Sequence, residues 1–391
     1  MMGLITPVYK IITPENSSSF ENQWTSCLQQ LINISARDAL NPFRVNVFVK
    51  SSGYEDYNAQ MALVEAGMKR EFGAQCPPFG VVMQEPDDPY LVTLEVGFVE
   101  KQVATIEYGQ FQQQPYCIVK SDNYQEYWTV GSQKVSRDAD ISESSEIAFS
   151  ALNGLYNHLG ISFNNTVRQW NYVGEILNVE QIDGRERQHY QMFNEVRSKY
   201  YKEYRTCTDF PAATGIGMLH GGVSIDSFSV AGNQHLNIIP ISNPVQSESY
   251  KYGQTVLVGA PGCSLKQNQP PQFERAKLIS LGDQSRLIIS GTASIKGQET
   301  VGLGDVEEQT RITIENIEAL ASPENLKRQF PQLGAVPSRY SYIRVYVKHK
   351  KDFGKVRNIC TDFYGQVPAM YVVADICRDN LLVEIEAELI S

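Results

Sequence analysis

Residues 382–390 constrain the fold of this chain more than any other stretch. Val383, Ile385, Ala387 and Leu389 alternate there with Glu384, Glu386 and Glu388. Strict alternation is the period of a β-strand, because successive side chains leave opposite faces of the pleat. The chain therefore ends in a strand whose apolar face is turned to a packed layer. Its acidic face has two readings, a solvated outer surface or carboxylates turned into a pocket.

The rest of the C-terminal half fits a sheet with helices on one face. Strands are predicted at 254–258, 286–290, 342–347 and 369–374, and a short helix at 351–362. A longer helix is predicted over 306–321, where Asp305 can cap the N-terminus and Val306, Thr310, Thr313, Ile314, Ile317 and Leu320 share one side. The N-terminal half shows the same order. Residues 91–99 and 103–108 read as strands, 142–159 as a helix stopped by Gly160, and 167–176 as a further strand. A charged helical stretch, 186–204, then gives way to the small-residue run 210–222. At 391 residues the chain exceeds what one core usually serves. These features predict an α+β protein of two domains, 1–205 and 206–391, each a mixed β-sheet with helices packed on one face.

Charge and composition remove several function classes. Lys and Arg number 34 against 44 Asp and Glu, a net charge of −10, and the longest basic run, 348–351, is broken by His349. A nucleic-acid partner held by a basic face is not expected. An anionic small substrate needs a local cluster of Arg and backbone donors inside that repulsive field. No run approaches the ~20 apolar residues of a membrane span, and no basic-then-apolar leader opens the chain, which predicts a cytoplasmic protein without membrane attachment. The 7 cysteines lack C-x-x-C spacing and the 5 histidines lack ligand spacing, so reduced thiols and no metal are expected. G-x-S-x-G, P-loop and G-x-G-x-x-G patterns are absent.

Two segments outside the last strand could carry chemistry. In 288–295, a strand runs into Ser290, Gly291, Thr292 and Ala293, whose small side chains let backbone N–H groups approach a ligand; a bulge or tight packing is the plainer alternative. Arg275 follows the Pro-rich turn 270–273 and enters another strand, as either a surface charge or an anion clamp.

Taken in order, these segments resemble the RidA (YjgF) superfamily. Ser290-Gly291-Thr292-Ala293-Ser294-Ile295 stands where that family has its ligand-facing SGQ strand, 304–317 matches its EQTRQTLENI helix, and 382–386 its terminal LEIE. The family's carboxylate-holding Arg is missing, since Pro368-Ala369-Met370-Tyr371 occupies its place. A fuller resemblance is to the two-domain chorismatases. It rests on Trp170-Asn171-Tyr172, Tyr190-Gln191-Met192-Phe193-Asn194 with Arg197, and the run 211–217. It continues through 270–276, 290–295 with Gly297 and Glu299-Thr300, and Ala374-Asp375-Ile376-Cys377-Arg378 into 381–386. It spans roughly residues 145–391.

That resemblance implies a degenerate RidA-like (chorismate-mutase-like) domain followed by a catalytic one, and a cofactor-free, metal-free enzyme that releases pyruvate from chorismate. The second product is a hydroxybenzoate (3-hydroxybenzoate, with or without 4-hydroxybenzoate) or a dihydroxycyclohexadiene carboxylate. The enolpyruvyl ether becomes labile once its methylene carbon is protonated, and the resemblance implies Glu384 as the acid, its pKa raised by burial. Arg275 is the implied carboxylate clamp, with Tyr250 and the Gly291 and Thr292 backbone as further donors. Gly215 and Gly217 would let the chain pass close to the ligand. Ser290 and Val373 would line the ring and choose among products, with Phe273, Val373 and Met370 as apolar wall and Ala293 in the same ligand-facing segment. A monomer and a homo-oligomer, including a RidA-like trimer, both stay open. Two other readings stand beside this one: a non-catalytic RidA-like metabolite-binding or regulatory protein, disfavoured by Glu384 and Arg275, and a 2-imino acid deaminase, disfavoured by Met370.

Overall fold

The computed structural model describes residues 3–15, 18–131 and 140–391, and in it the chain forms three large sheets. The first unit comprises β1 (Val8–Ile12), α1 (Phe20–Arg37), β2 (Leu40–Val49), α2 (Tyr54–Phe72), β3 (Phe79–Val82) and β4 (Val92–Glu100). The second opens with β5 (Thr105–Phe111) and β6 (Gln114–Lys120). It continues with β7 (Tyr124–Thr129), α3 (Ile141–Leu159), β8 (Thr166–Gly174), α4 (His189–Tyr204), β9 (Ala212–Met218) and β10 (Val223–Gly232). The third repeats that plan with β11 (Asn237–Ile241), β12 (Ala276–Leu281), β13 (Gln284–Ala293), α5 (Val306–Ala321), α6 (Pro323–Gln329), β14 (Arg339–Val347), α7 (Phe353–Tyr364), β15 (Ala369–Val373) and β16 (Val383–Ile390).

Strand orders are β1-β4-β2-β3, β9-β8-β10-β7-β6-β5 and β11-β12-β13-β16-β14-β15. Each unit thus inserts its last strand antiparallel between two earlier ones and ends in a parallel edge pair, β2 with β3, β8 with β9 and β14 with β15. A parallel pair needs a crossover, which α2, α4 and α7 supply. The expected layer of mixed sheet and helices is present, but three times. A division at 205/206 cuts the second sheet, because β9 beyond it pairs with β8 before it. The run 210–222 looks like a hinge in sequence because it is rich in Gly; in the structure its small residues permit close approach. A Cβ on Gly217 would lie 2.9 Å from the Asp375 carbonyl, to which the Gly217 N–H donates at 2.8 Å. The strand expected at 254–258 is a short 3-10 turn, Gln254–Val256, between Gly253 and Gly259, the latter at φ +84°.

One face of each sheet is covered by its own helices. Val383, Ile385, Ala387 and Leu389 pack there with Ile314, Ile317 and Leu320 of α5, which Asp305 caps as expected. The opposite faces turn towards one another. Tyr9, Phe43, Trp128, Trp170, Tyr172, Phe228, Tyr342 and Tyr346 from all three sheets share one central core. The acidic face of β16 is therefore not solvated: Glu384, Glu386 and Glu388 are 4%, 1% and 5% exposed.

Buried charges in that core pair between units in a cycle. Arg44 of the first unit meets Asp226 of the second at 3.1 Å, Arg168 of the second meets Glu386 of the third at 2.8 Å, and Arg344 of the third meets Glu95 of the first at 2.8 Å. The three acids occupy matching places on the three last strands, opposite Trp170, Arg344 and Asn46 respectively for Asp226, Glu386 and Glu95. Among the described residues no helix is long and apolar enough to cross a membrane.

Candidate active site

Two residues further along the same strands, towards their N-termini, the units differ. Opposite Phe48, Tyr172 and Tyr346 stand Thr93, Ser224 and Glu384, so only the third unit adds a carboxylate to its ring acid. Glu384 lies where the third unit meets β9 and α4 of the second. Gly291 makes room for it, since a Cβ there would fall 1.9 Å from Glu384 Oε1 and 3.0 Å from Thr214 Oγ1. Gly215 likewise admits the Tyr190 ring, which an added Cβ would meet at 2.9 Å.

The ring acid Glu386 and its neighbour Glu384 are treated in opposite ways. Glu386 accepts hydrogen bonds from Arg168 (2.8 Å), Trp170 Nε1 (2.7 Å), Thr214 Oγ1 (2.7 Å), Tyr342 (3.0 Å) and Tyr346 (3.1 Å), with Arg344 Nη1 a further 3.5 Å away. Burial alone would raise its pKa, but Arg344 and Arg168, helped by Thr214 and Trp170, outweigh that and hold Glu386 at about 2. Glu384 has no hydrogen-bond partner among the described residues. Burial, then the charge of Glu386, pushes its carboxyl up to about 8 against the opposing pull of Arg168 and Arg275. Same-face neighbours on a strand lie about 6.5–7 Å apart. At that separation and an effective dielectric of about 20, two like charges repel by roughly 2 kcal/mol. Near neutral pH the pair therefore carries one proton, and Glu384 has it.

Three arginines without a carboxylate partner lie at or near this acid: Arg275 acts on Glu384 itself, Arg378 lies beside its neighbour Cys377 and Arg197 beside its neighbour Tyr190. Arg275, 3% exposed, donates to the Ser247 carbonyl through Nε (3.2 Å) and Nη2, and Nη2 also donates to the Tyr252 hydroxyl (2.7 Å). Arg378 sits over the same Tyr252 ring at 5.1 Å, donates to Gln298 O at 2.7 Å, and keeps a buried Nη2 without a partner. Arg197, 1% exposed, reaches Asn194 Oδ1 at 2.5 Å and the Tyr190 hydroxyl. None of the three has a carboxylate partner among the described residues, whereas Arg44, Arg168, Arg187, Arg286 and Arg344 each do. Cys377 is half-buried beside Glu384 and Arg275, its thiol pushed up to about 12 by burial and by the Glu384 charge. No group of His, Cys, Asp and Glu able to hold a metal occurs among the described residues.

The structure brings Glu384, Arg275, Gly291 and Gly215 to one place, and Phe273 lies under the Arg275 guanidinium at 5.4 Å. Other expected contacts differ. Tyr250 packs on Phe210 at 5.2 Å with Glu274 as its acidic neighbour; Tyr252 is the phenol bound to Arg275. Ser290 is 0% exposed, its hydroxyl taken by the Glu274 carbonyl and the Ala213 N–H, so it ties β13 to β9. The Gly291 N–H is likewise taken, by Thr214 Oγ1 at 3.1 Å. Thr292 and Ala293 pair in register with Ile385 and Glu384. Val373 faces the helix-side core of the third unit and gives its N–H to Glu85 of the first, while Met370 is buried in the central core. Tyr190, Thr214, Arg168, Tyr252, Cys377 and Arg378 hold places around the acid that sequence reasoning assigned no role. Most sit inside quoted motifs, but only the fold shows which side chains converge.

A fold of three such units thus sets a buried acid without a hydrogen-bond partner near arginines that have no carboxylate partner and so have charge to spare for an anionic group. Residues 110–229 match the family described as "Chorismatase FkbO/Hyg5-like, N-terminal". The chain is 32% identical over 251 residues to a 3-hydroxybenzoate synthase of Streptomyces hygroscopicus, covering 63% of this chain and 68% of that protein. It is 32% identical over 237 residues to a chorismatase of Streptomyces rapamycinicus, covering 60% and 66%. A crystal structure of a chorismatase superposes over 100% of both chains with TM-score 0.70 at 22% identity, which shows a shared fold. The chain belongs to the chorismatase family.

Proposed function

We propose that this protein is a chorismatase in which Glu384 protonates the methylene carbon of the enolpyruvyl ether. The observation that carries this reading is a buried carboxyl without a hydrogen-bond partner, close to arginines that lack carboxylate partners. A dicarboxylate supplies the missing negative charge, with Arg275 as the first clamp and Arg378 Nη2 as an available second. Proton transfer from Glu384 leaves an oxocarbenium ion at the enolpyruvyl carbon. Water adding there gives a hemiketal that collapses to pyruvate and leaves the oxygen on the ring. Loss of the C4 hydroxyl and the C3 hydrogen of that ring diol as water then yields 3-hydroxybenzoate; the 4-isomer forms where the C3–O bond breaks instead, pyruvate leaving with that oxygen and the C4 hydrogen departing as a proton. A buried acid with its pKa near the working pH suits this step, since it is protonated yet a strong enough donor.

The purified protein mixed with chorismate should release pyruvate, followed by coupling to lactate dehydrogenase, and chromatography should show an aromatic or dihydrodiol partner in equal amount. Excess chelator should leave the rate unchanged. No pyruvate above the uncatalysed rate would refute the proposal.

A further inference from the structure

Glu386 is ringed by donors far beyond what a buried carboxylate needs, and those donors come from β8, β9 and β14 in two different units. The matching ring acids Glu95 and Asp226 have no acidic neighbour two residues away, so only in the third unit does the ion-paired ring acid stand beside further carboxyls on its strand. Arg168 is the cation that links them: its Nη2 is spent on Glu386 Oε2 and Thr214 Oγ1, and Thr214 in turn holds the Gly291 N–H next to Glu384. The charged and titratable groups about Glu384 come from several elements: Glu386 from its own strand, Tyr346 opposite it on β14, Arg168 from β8, Arg275 before β12, Tyr190 from α4 and Cys377 before β16.

Resting on the reading of Glu384 as proton donor, we propose that Glu386 is its positioning residue: a fixed negative charge that occupies Arg168 and keeps the proton on Glu384. Without it, Arg168 is freed beside Glu384 and the like charge vanishes. Both changes favour the ionised, inactive form of Glu384.

The test is the pH profile of kcat/KM for wild type, Glu386→Gln and Glu386→Asp. Wild-type activity is expected to fall as pH rises through about 8. In Glu386→Gln that limb moves at least about one unit lower, a loss of about tenfold above it, while activity recovers near pH 5.5. Glu386→Asp, which keeps the charge, keeps the limb. Should Glu386→Gln fail to fold with Arg168 stranded, Arg168→Met is compared with Arg168→Met/Glu386→Gln, which buries no unpaired cation; the double variant's limb should again lie about one unit lower. An unmoved limb, or an equal loss at every pH, overturns the proposal. If Glu384→Gln itself still releases pyruvate, the reading beneath it has failed instead.

Discussion

Gly291 and Glu384 occupy adjoining strands so closely that a single added methyl on the first would lie 1.9 Å from Oε1 of the second. Backbone as well as side chain therefore defines the acid's position. Gly291→Ala should displace the Glu384 carboxyl and Thr214 together, lowering kcat by at least about tenfold, since small misplacements at the reacting centre are costly. A Gly291→Ala enzyme with wild-type kcat would show that Glu384 has slack the structure does not display.

A buried acid held protonated at neutral pH works against folding. The unfolded chain releases this proton near 4.5 and the folded one near 8, so the folded state binds more protons in between and stability falls as pH rises across that window. The loss is of the order of 4 kcal/mol. Glu384→Gln, which cannot ionise, should have a higher Tm than wild type at pH 8 and a smaller advantage at pH 5. Parallel Tm curves for the two proteins would contradict the raised pKa.

Arg275→Ala should weaken chorismate binding by about 2 to 4 kcal/mol, the range for removing one partner of a desolvated charge pair. Isothermal titration in the Glu384→Gln background measures this without turnover. Unchanged affinity would assign the carboxylate clamp to Arg378 or Arg197.

The first unit contributes to this arrangement through the ring of ion pairs. Arg44→Met strands Asp226, which is 1% exposed, and should cost about 3 to 5 kcal/mol in urea unfolding. Arg44→Met/Asp226→Leu should regain most of it, because two apolar side chains strand no charge. A silent single variant would mean the ring does not hold the units together.

How much of this was legible in the sequence follows from where the information is local. The alternation in 383–389 and the Asp305 cap with its apolar stripe depend on neighbours along the chain, and both elements form as read. The burial of this acidic face does not, because Arg168 and Trp170 on Glu386, and Arg286 and Tyr9 on Glu388, lie 102 or more residues away. For the same reason a third unit was invisible: residues 8–100 carry the strand and helix order of the other two without their motifs. Tyr252 and Tyr250 differ in sequence only by position, and the turn at Ser249–Lys251 decides which one reaches Arg275.

The most direct test of the account is pyruvate release from chorismate by Glu384→Gln and Glu386→Gln, each assayed at its own pH optimum. Gln keeps the shape and the hydrogen-bonding capacity of the side chain but has no acidic proton. Glu384→Gln should lose at least ~10² to 10³-fold in kcat, the usual contribution of a general acid, while still binding chorismate, and Glu386→Gln should lose far less. Full activity in Glu384→Gln, or a larger loss in Glu386→Gln at its optimum, would contradict the assignment of Glu384 as the proton donor.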